Sequence, residues 1–141
     1  MNERLVSTAE FIARLAALCV GGGKRALPRS FRDRQILLKS ALHALGPEEP
    51  HTEPEVNDAL QDWLLTVGRS FEIDHVTMRR LLVDEGFLLR DAAGTAYRLN
   101  PAGSRGPGFE RGVQGVDPMA AISEARDEAQ ARKRQWIAVK R

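Results

Sequence analysis

Two neighbouring residue pairs carry most of the chemical potential of this 141-residue chain: Asp74-His75, a carboxylate beside an imidazole, and Arg79-Arg80, two consecutive guanidinium groups. The first pair has the residue types of acid–base catalysis, in which an imidazole moves a proton and a carboxylate orients it. A simpler assignment explains the aspartate without a reaction. It stands where a helix should begin, and its oxygens can accept from the free N–H groups of the first turn, with His75 then in that turn. The second pair suits nucleic acid. Arginine grips phosphate oxygens or reads guanine edges, and threonine can meet a thymine methyl. His75, Thr77, Arg79 and Arg80 therefore form a candidate recognition set, unless Arg79 or Arg80 bridges to Asp74, Asp84 or Asp91.

Other chemistries find less support. His43, His51 and His75 are scattered, with no CxxC or HxxxH companion, so no zinc site is expected. Cys19 lies on an apolar helix stripe and reads as packed rather than nucleophilic. Gly21-Gly22-Gly23-Lys24 lacks the spacing of a phosphate loop, follows a helix instead of a strand, and has Arg25 where the hydroxyl is needed. Glu48, Glu49, Glu53, Glu55, Asp58 and Asp62 crowd one helix start, where no catalytic pair can be singled out. The expectation is a non-enzyme with no catalytic residues, no metal and no cofactor.

The elements that must hold the arginines are legible around them. From Asp74, the residues Met78, Leu81, Leu82 and Glu85 recur at helical spacing, with Val76 and Val83 widening the apolar face. Gly86 is placed to end the helix with positive φ. Phe87-Leu88-Leu89-Arg90 and Thr95-Ala96-Tyr97-Arg98-Leu99 read as two strands joined by the turn Asp91-Ala92-Ala93-Gly94. Alternation in the second strand places Ala96 and Arg98 on one face, Tyr97 and Leu99 on the other. Upstream, a helix over Ser30 to Leu45 is expected to turn Phe31, Ile36, Leu37, Ser40, Ala41 and Leu45 inward. Pro50-His51 fits a very short strand. Thr52 and Glu55 form a capping box for a helix that buries Val56, Leu60, Trp63 and Leu64. Gly68-Arg69-Ser70 reads as a turn.

The order helix, short strand, helix, helix, strand, strand is that of a winged helix. The fold class expected is therefore mainly α with a small β-wing, extended at both ends by helices. Residues 1–23 hold an amphipathic helix with Phe11, Ile12, Leu15, Leu18 and Cys19 on its stripe, capped by Ser7 or Thr8 and ended by the glycine joint. Residues 24–100 form the winged helix. Residues 101–117 are a Gly/Pro-rich linker, or an arm wrapped on the domain and pinned by Phe109, with a composition unsuited to building core. Residues 118–141 form a last helix, opened by Asp117-Pro118 and roughly 30 Å long at 1.5 Å per residue. Met119, Ile122, Ala125, Ala129 and Trp136 mark its thin apolar stripe, and Arg132, Lys133, Arg134, Lys140 and Arg141 its basic end.

Charge is segregated more than the formal net value of +2 suggests. Lys24 to His43 carries six basic side chains against one acidic, and Ala44 to Leu65 carries six acids with no Lys or Arg. Such a pattern produces an oriented electrostatic surface, or two solvated helix faces that pair with each other. A lone cysteine is compatible with a reducing cytosol. No secretory signal is expected from Met1-Asn2-Glu3-Arg4, and the apolar run Leu15 to Val20 is far too short to span a bilayer.

The stretches Leu27-Pro28-Arg29, Thr52-Glu53-x-Glu55-Val56-Asn57, Asp74-His75-x-Thr77-x-Arg79-Arg80-x-Leu82-Val83-Asp84-x-Gly86-x-Leu88, Arg90 and Gly94-x-x-Tyr97-Arg98 together resemble the prokaryotic domain of unknown function 2087, over roughly residues 24–100. The resemblance implies a bacterial domain found in small hypothetical proteins and at the end of some proteins described as transcriptional regulators. The family that the chain resembles has no established enzymatic activity and no defined catalytic residues to carry over.

The function expected is thus a cytoplasmic nucleic-acid-binding regulator, with DNA the first partner and RNA the second. Its third helix would present His75, Thr77, Arg79 and Arg80, its wing Arg90 and Arg98, while Arg29, Arg32 and Arg34 would add phosphate contacts. The alternative is a non-catalytic adaptor that docks a protein through its flanking helices, with Trp136 as an interface anchor or else a cover for its own domain.

Overall fold

The computed structural model describes residues 4–140, the side chain of Lys140 excepted. The first three residues, Arg141 and the Lys140 side chain, parts of the amino-terminal and basic-tail expectations, lie outside the described residues. Side-chain oxygens set where most helices start. Ser7 accepts from the Glu10 N–H and opens α1 (Thr8–Cys19). Ser30 accepts from Asp33 and opens α2 (Phe31–Leu42). Thr52 and Glu55 form the reciprocal capping box of α3 (Glu53–Leu65). Asp74 accepts from Thr77 at 2.7 Å and opens α4 (His75–Asp84).

The three short strands β1 (His51–Thr52), β2 (Leu88–Arg90) and β3 (Ala96–Leu99) form an antiparallel sheet in the order β1-β3-β2. The β2–β3 hairpin projects as a small wing. It turns at Asp91 to Gly94, where Gly94 has φ +73° and Asp91 accepts from the Thr95 and Ala96 N–H groups. Gly86, at φ +85°, ends α4 as expected. The fold is therefore mainly helical with a small β-wing, in the element order expected.

Packing departs from expectation in three places. First, α2 is buried on more than one side. Gln35, Ile36, Leu37, Leu38, Ser40 and Ala41 are all inside, while Phe31 and Leu45 are only half-buried. It is the central helix of the core, touched by α1 on one flank and α3 on another. Second, the Gly/Pro-rich segment contributes to the core it was expected only to skirt. Val6 and Phe109 form a parallel bridge held by Val6 N–H to Gly108 O and Glu110 N–H to Val6 O, each 2.9 Å. Phe109 sits against Phe11 and Phe87, and a 3₁₀ turn (Arg111–Gly115) buries Val113 completely. Few apolar residues suffice here because the segment pairs its backbone with residue 6 and so satisfies its polar groups.

Third, α5 (Pro118–Lys140) is divided in its surroundings. Its first half packs on α1: Ile122 is fully buried, and Arg126 donates to the carbonyl of Cys19. From Gln130 to Val139 every residue is exposed, so the apolar stripe is covered only through about Ala129. The flanking helices and the central domain thus share one core, which joins Val6, Phe11, Leu15 and Ile122 to Leu37, Leu60, Met78 and Leu88. No helix among the described residues is long and apolar enough to cross a membrane.

Candidate nucleic-acid interface

The candidate residues divide into those held inside the fold and those presented by it. Arg79 belongs to the first group: it is engaged by partners inside the fold, although its side chain also borders the cleft beside Arg80. Its guanidinium donates to the side-chain oxygen of Asn57 and pairs with Glu53 at 3.0 Å, and its side chain is only 14% exposed. Tyr97, buried on β3, donates its hydroxyl to the same Glu53 carboxylate at 3.3 Å. One network therefore ties α3, α4 and the sheet together. The partners are Glu53 and Asn57, not the acids nearer in sequence. Asp74 and Asp91 are occupied by backbone N–H groups, led by those of Thr77 and Ala96, which hold both carboxyls below their ordinary value.

Arg32 is engaged internally in the same way. Expected as a phosphate contact, it donates to Glu10 on α1 (2.7 Å from Nη2) and to the carbonyls of Arg4 and Leu5. Arg14 and Asp33 add a two-pronged pair between the same helices, at 3.1 and 3.0 Å. Part of the basic run is thereby spent on joining α1 to α2. Arg34 turns back to the Arg29 carbonyl and lies near the Phe31 ring.

Arg80, Arg90 and Arg98 form the second group. All three are exposed and make no ion pair or side-chain hydrogen bond among the described residues. Arg29 is also exposed, on the loop before α2. Thr77 is exposed in the first turn of α4, and His75 is half-buried with Nδ1 3.4 Å from the Gln61 amide nitrogen. Asp74 is thus a helix cap, and the Gln61 contact gives His75 a structural neighbour in place of a second acid.

Arg79, Arg80, Val83 and Asp84 of α4 face Arg90 and Tyr97 of the sheet across a cleft of about 220 Å³. Spacing alone places Arg79 and Arg80 together. What sequence reasoning missed is that Glu53, Asn57 and Tyr97 converge behind them. The one available signal was that all three fall inside the resemblance-bearing stretches.

The remaining titratable groups are dispersed. His43 stacks on Phe11 and reaches the carbonyls of Lys39 and Val113. His51 is buried beside Tyr97 in the sheet, its Nε2 without a hydrogen-bond partner. Cys19 is fully buried, and that burial pushes its thiol up to about 12, which removes the thiolate needed of a nucleophile. Among the described residues no three His, Cys, Asp or Glu side chains gather as a metal site. Trp136 is 61% exposed near the end of α5, rather than folded over the core.

In comparison with known proteins, the family model described as an uncharacterized protein conserved in bacteria (DUF2087) matches residues 25–99. No curated protein and no solved structure matches the chain.

Proposed function

The chain belongs to this bacterial DUF2087 family, and we propose that it is a non-catalytic nucleic-acid-binding regulatory protein. In this reading it is a winged helix that offers α4 and the β2–β3 hairpin to a duplex. The helix–strand–helix–helix–hairpin order and the strand order β1-β3-β2 support it, because they set α4 beside the wing. The observation that carries it is the contrast within the arginines. Arg79 is neutralised internally, while Arg80, Arg90 and Arg98 stay exposed without carboxylate partners. Unpaired guanidinium groups on adjoining elements suit phosphate contact, and Thr77 occupies the first turn, where base edges are read.

Fluorescence anisotropy with random duplex DNA and structured RNA, at two salt concentrations, tests this. Binding should fall steeply with salt, with a log–log slope near −0.9 for each duplex phosphate neutralised. The Arg80→Glu/Arg90→Glu variant should lose it, without disturbing the Arg79 network. Absence of binding to either polymer at low salt would end the proposal. Preference for RNA would redirect it to structured RNA.

A second reading, an adaptor, is favoured by the exposed end of α5. There Trp136, Ile137 (43% exposed) and Val139 (86%) accompany Arg132, Lys133 and Arg134. A protein contact through this end predicts losses on Trp136→Ala that salt hardly changes.

A further inference from the structure

We infer that the cleft between α4 and the hairpin is a binding pocket for a phosphoryl group carried by a small molecule, independent of whether the same face also meets nucleic acid. Strand register is the first support. His51 and Arg90 both stand opposite Tyr97, on either side of β3. Directly paired residues project to the same face of a sheet, so the three form one row. That face is the one turned toward the helices, since Tyr97 is buried and reaches Glu53 on α3. Arg90 therefore extends over the cleft rather than away from it.

The turn leaves room for that extension. A Cβ at position 94 would lie 2.2 Å from Arg90 Nη2, so the guanidinium occupies the space that Gly94 vacates. The opposite wall supplies Arg79 and Arg80 from consecutive positions of α4. Arg79 is held in place by Asn57 and Glu53 before any ligand arrives. With Glu53 matched to Arg79, the carboxylate lining the cleft is that of Asp84, on the α4 wall beside Arg80, and among the described residues neither Arg80 nor Arg90 forms an ion pair with it.

Like charges gathered in a partly enclosed site repel, and an anion between them removes that cost. Guanidinium donors converging from two walls match the several acceptor oxygens of a tetrahedral phosphoryl group. A volume of about 220 Å³ lies below the roughly 300–1,000 Å³ of sites for drug-sized ligands. It suits a phosphoryl group with a small organic portion, whose hydroxyl Asp84 could accept.

The test is a titration of the full chain followed through the arginine Nε–Hε resonances. Inorganic phosphate and glycerol 3-phosphate serve as probes, with sodium chloride at matched ionic strength as the control. The expected result is a saturable movement of the Arg80 and Arg90 resonances with both phosphates and none with chloride. Arg90→Gln should weaken it at least tenfold with the backbone amide spectrum unchanged, and Arg80→Gln is the second variant if the first does not fold. Responses that follow ionic strength alike in phosphate and chloride would overturn the inference. Undiminished saturation in a folded Arg90→Gln variant would overturn it too.

A parallel titration with duplex DNA separates this pocket from the proposed function. Saturable phosphate binding without duplex binding keeps the pocket and rejects the nucleic-acid reading. Duplex binding without saturable phosphate binding does the reverse.

Discussion

Gly68→Ala should damage this fold far more than its place in a turn suggests. A Cβ at position 68 would meet the six-membered ring of Trp63 at 2.2, 2.5 and 2.6 Å, distances at which an atom must move. The indole has little freedom to do so. It is 1% exposed, and its Nε1 donates at 3.0 Å to Ser40 Oγ, which in turn donates to the Leu37 carbonyl at 2.6 Å. The backbone is equally constrained, because the Gly68 N–H bonds the Trp63 carbonyl at 2.8 Å. Overpacking of this kind costs about 1–3 kcal/mol. Breaking the indole–Ser40 hydrogen bond to make room would add about 1 kcal/mol. The expected loss is therefore about 2–4 kcal/mol, read from urea denaturation followed by circular dichroism at 222 nm. Gly22→Ala is the matched control: nothing lies within 4 Å of its Cβ and its φ is not positive, so it should stay within about 0.5–1 kcal/mol of the parent. In a Trp63→Leu background the cost of Gly68→Ala should shrink, since contacting residues couple. A folded Gly68→Ala protein within about 0.5 kcal/mol of the parent would refute the reasoning, because the ring would then have room to shift.

Other perturbations probe the helix joints and the buried polar groups. Arg79→Met strips the shared partner from Asn57 and Glu53, so it should destabilise by about 1.5–3 kcal/mol in the same urea assay. Exposed Arg80→Met should stay within about 0.5 kcal/mol. The hydrogen bond from Arg32 holds the Glu10 carboxyl below its ordinary value of 4.5. A depressed folded-state value stabilises fully above the unfolded-state value, and that contribution fades as pH falls through the lower folded one. The urea midpoint should thus drop on acidification below about pH 4.5, and Glu10→Gln should flatten that drop. Cys19, its thiol pushed up to about 12 by burial, should resist a disulfide reagent at pH 8 until denaturant is added.

Local chemistry made much of the fold readable before any coordinates. Ser7, Ser30, Thr52 and Asp74 each act on an N–H three residues ahead, so the starts of α1, α2, α3 and α4 are written within one turn. Gly86 and Gly94 do the same for the end of α4 and for the hairpin turn, because each needs a positive φ. The resemblance carried by Glu55-Val56-Asn57 and Asp74-His75…Arg79-Arg80 located the domain over nearly the residues that the family model matches.

What residue order alone could not decide is which charges find each other. Asp74 and Asp84 lie within five residues of Arg79, yet its partners are Asn57 and Glu53 on another helix. Arg32 likewise turns to Glu10, across the α1–α2 interface. Periodicity marked Met119 to Trp136 as one stripe, but α1 covers only its first half. Composition marked residues 101–117 as unsuited to a core, but pairing with Val6 brings Val113 inside. Caps and turns are settled by distances along the chain, which the sequence contains. Ion pairs and coverage depend on distances across the packed elements, and only the tertiary structure determines those.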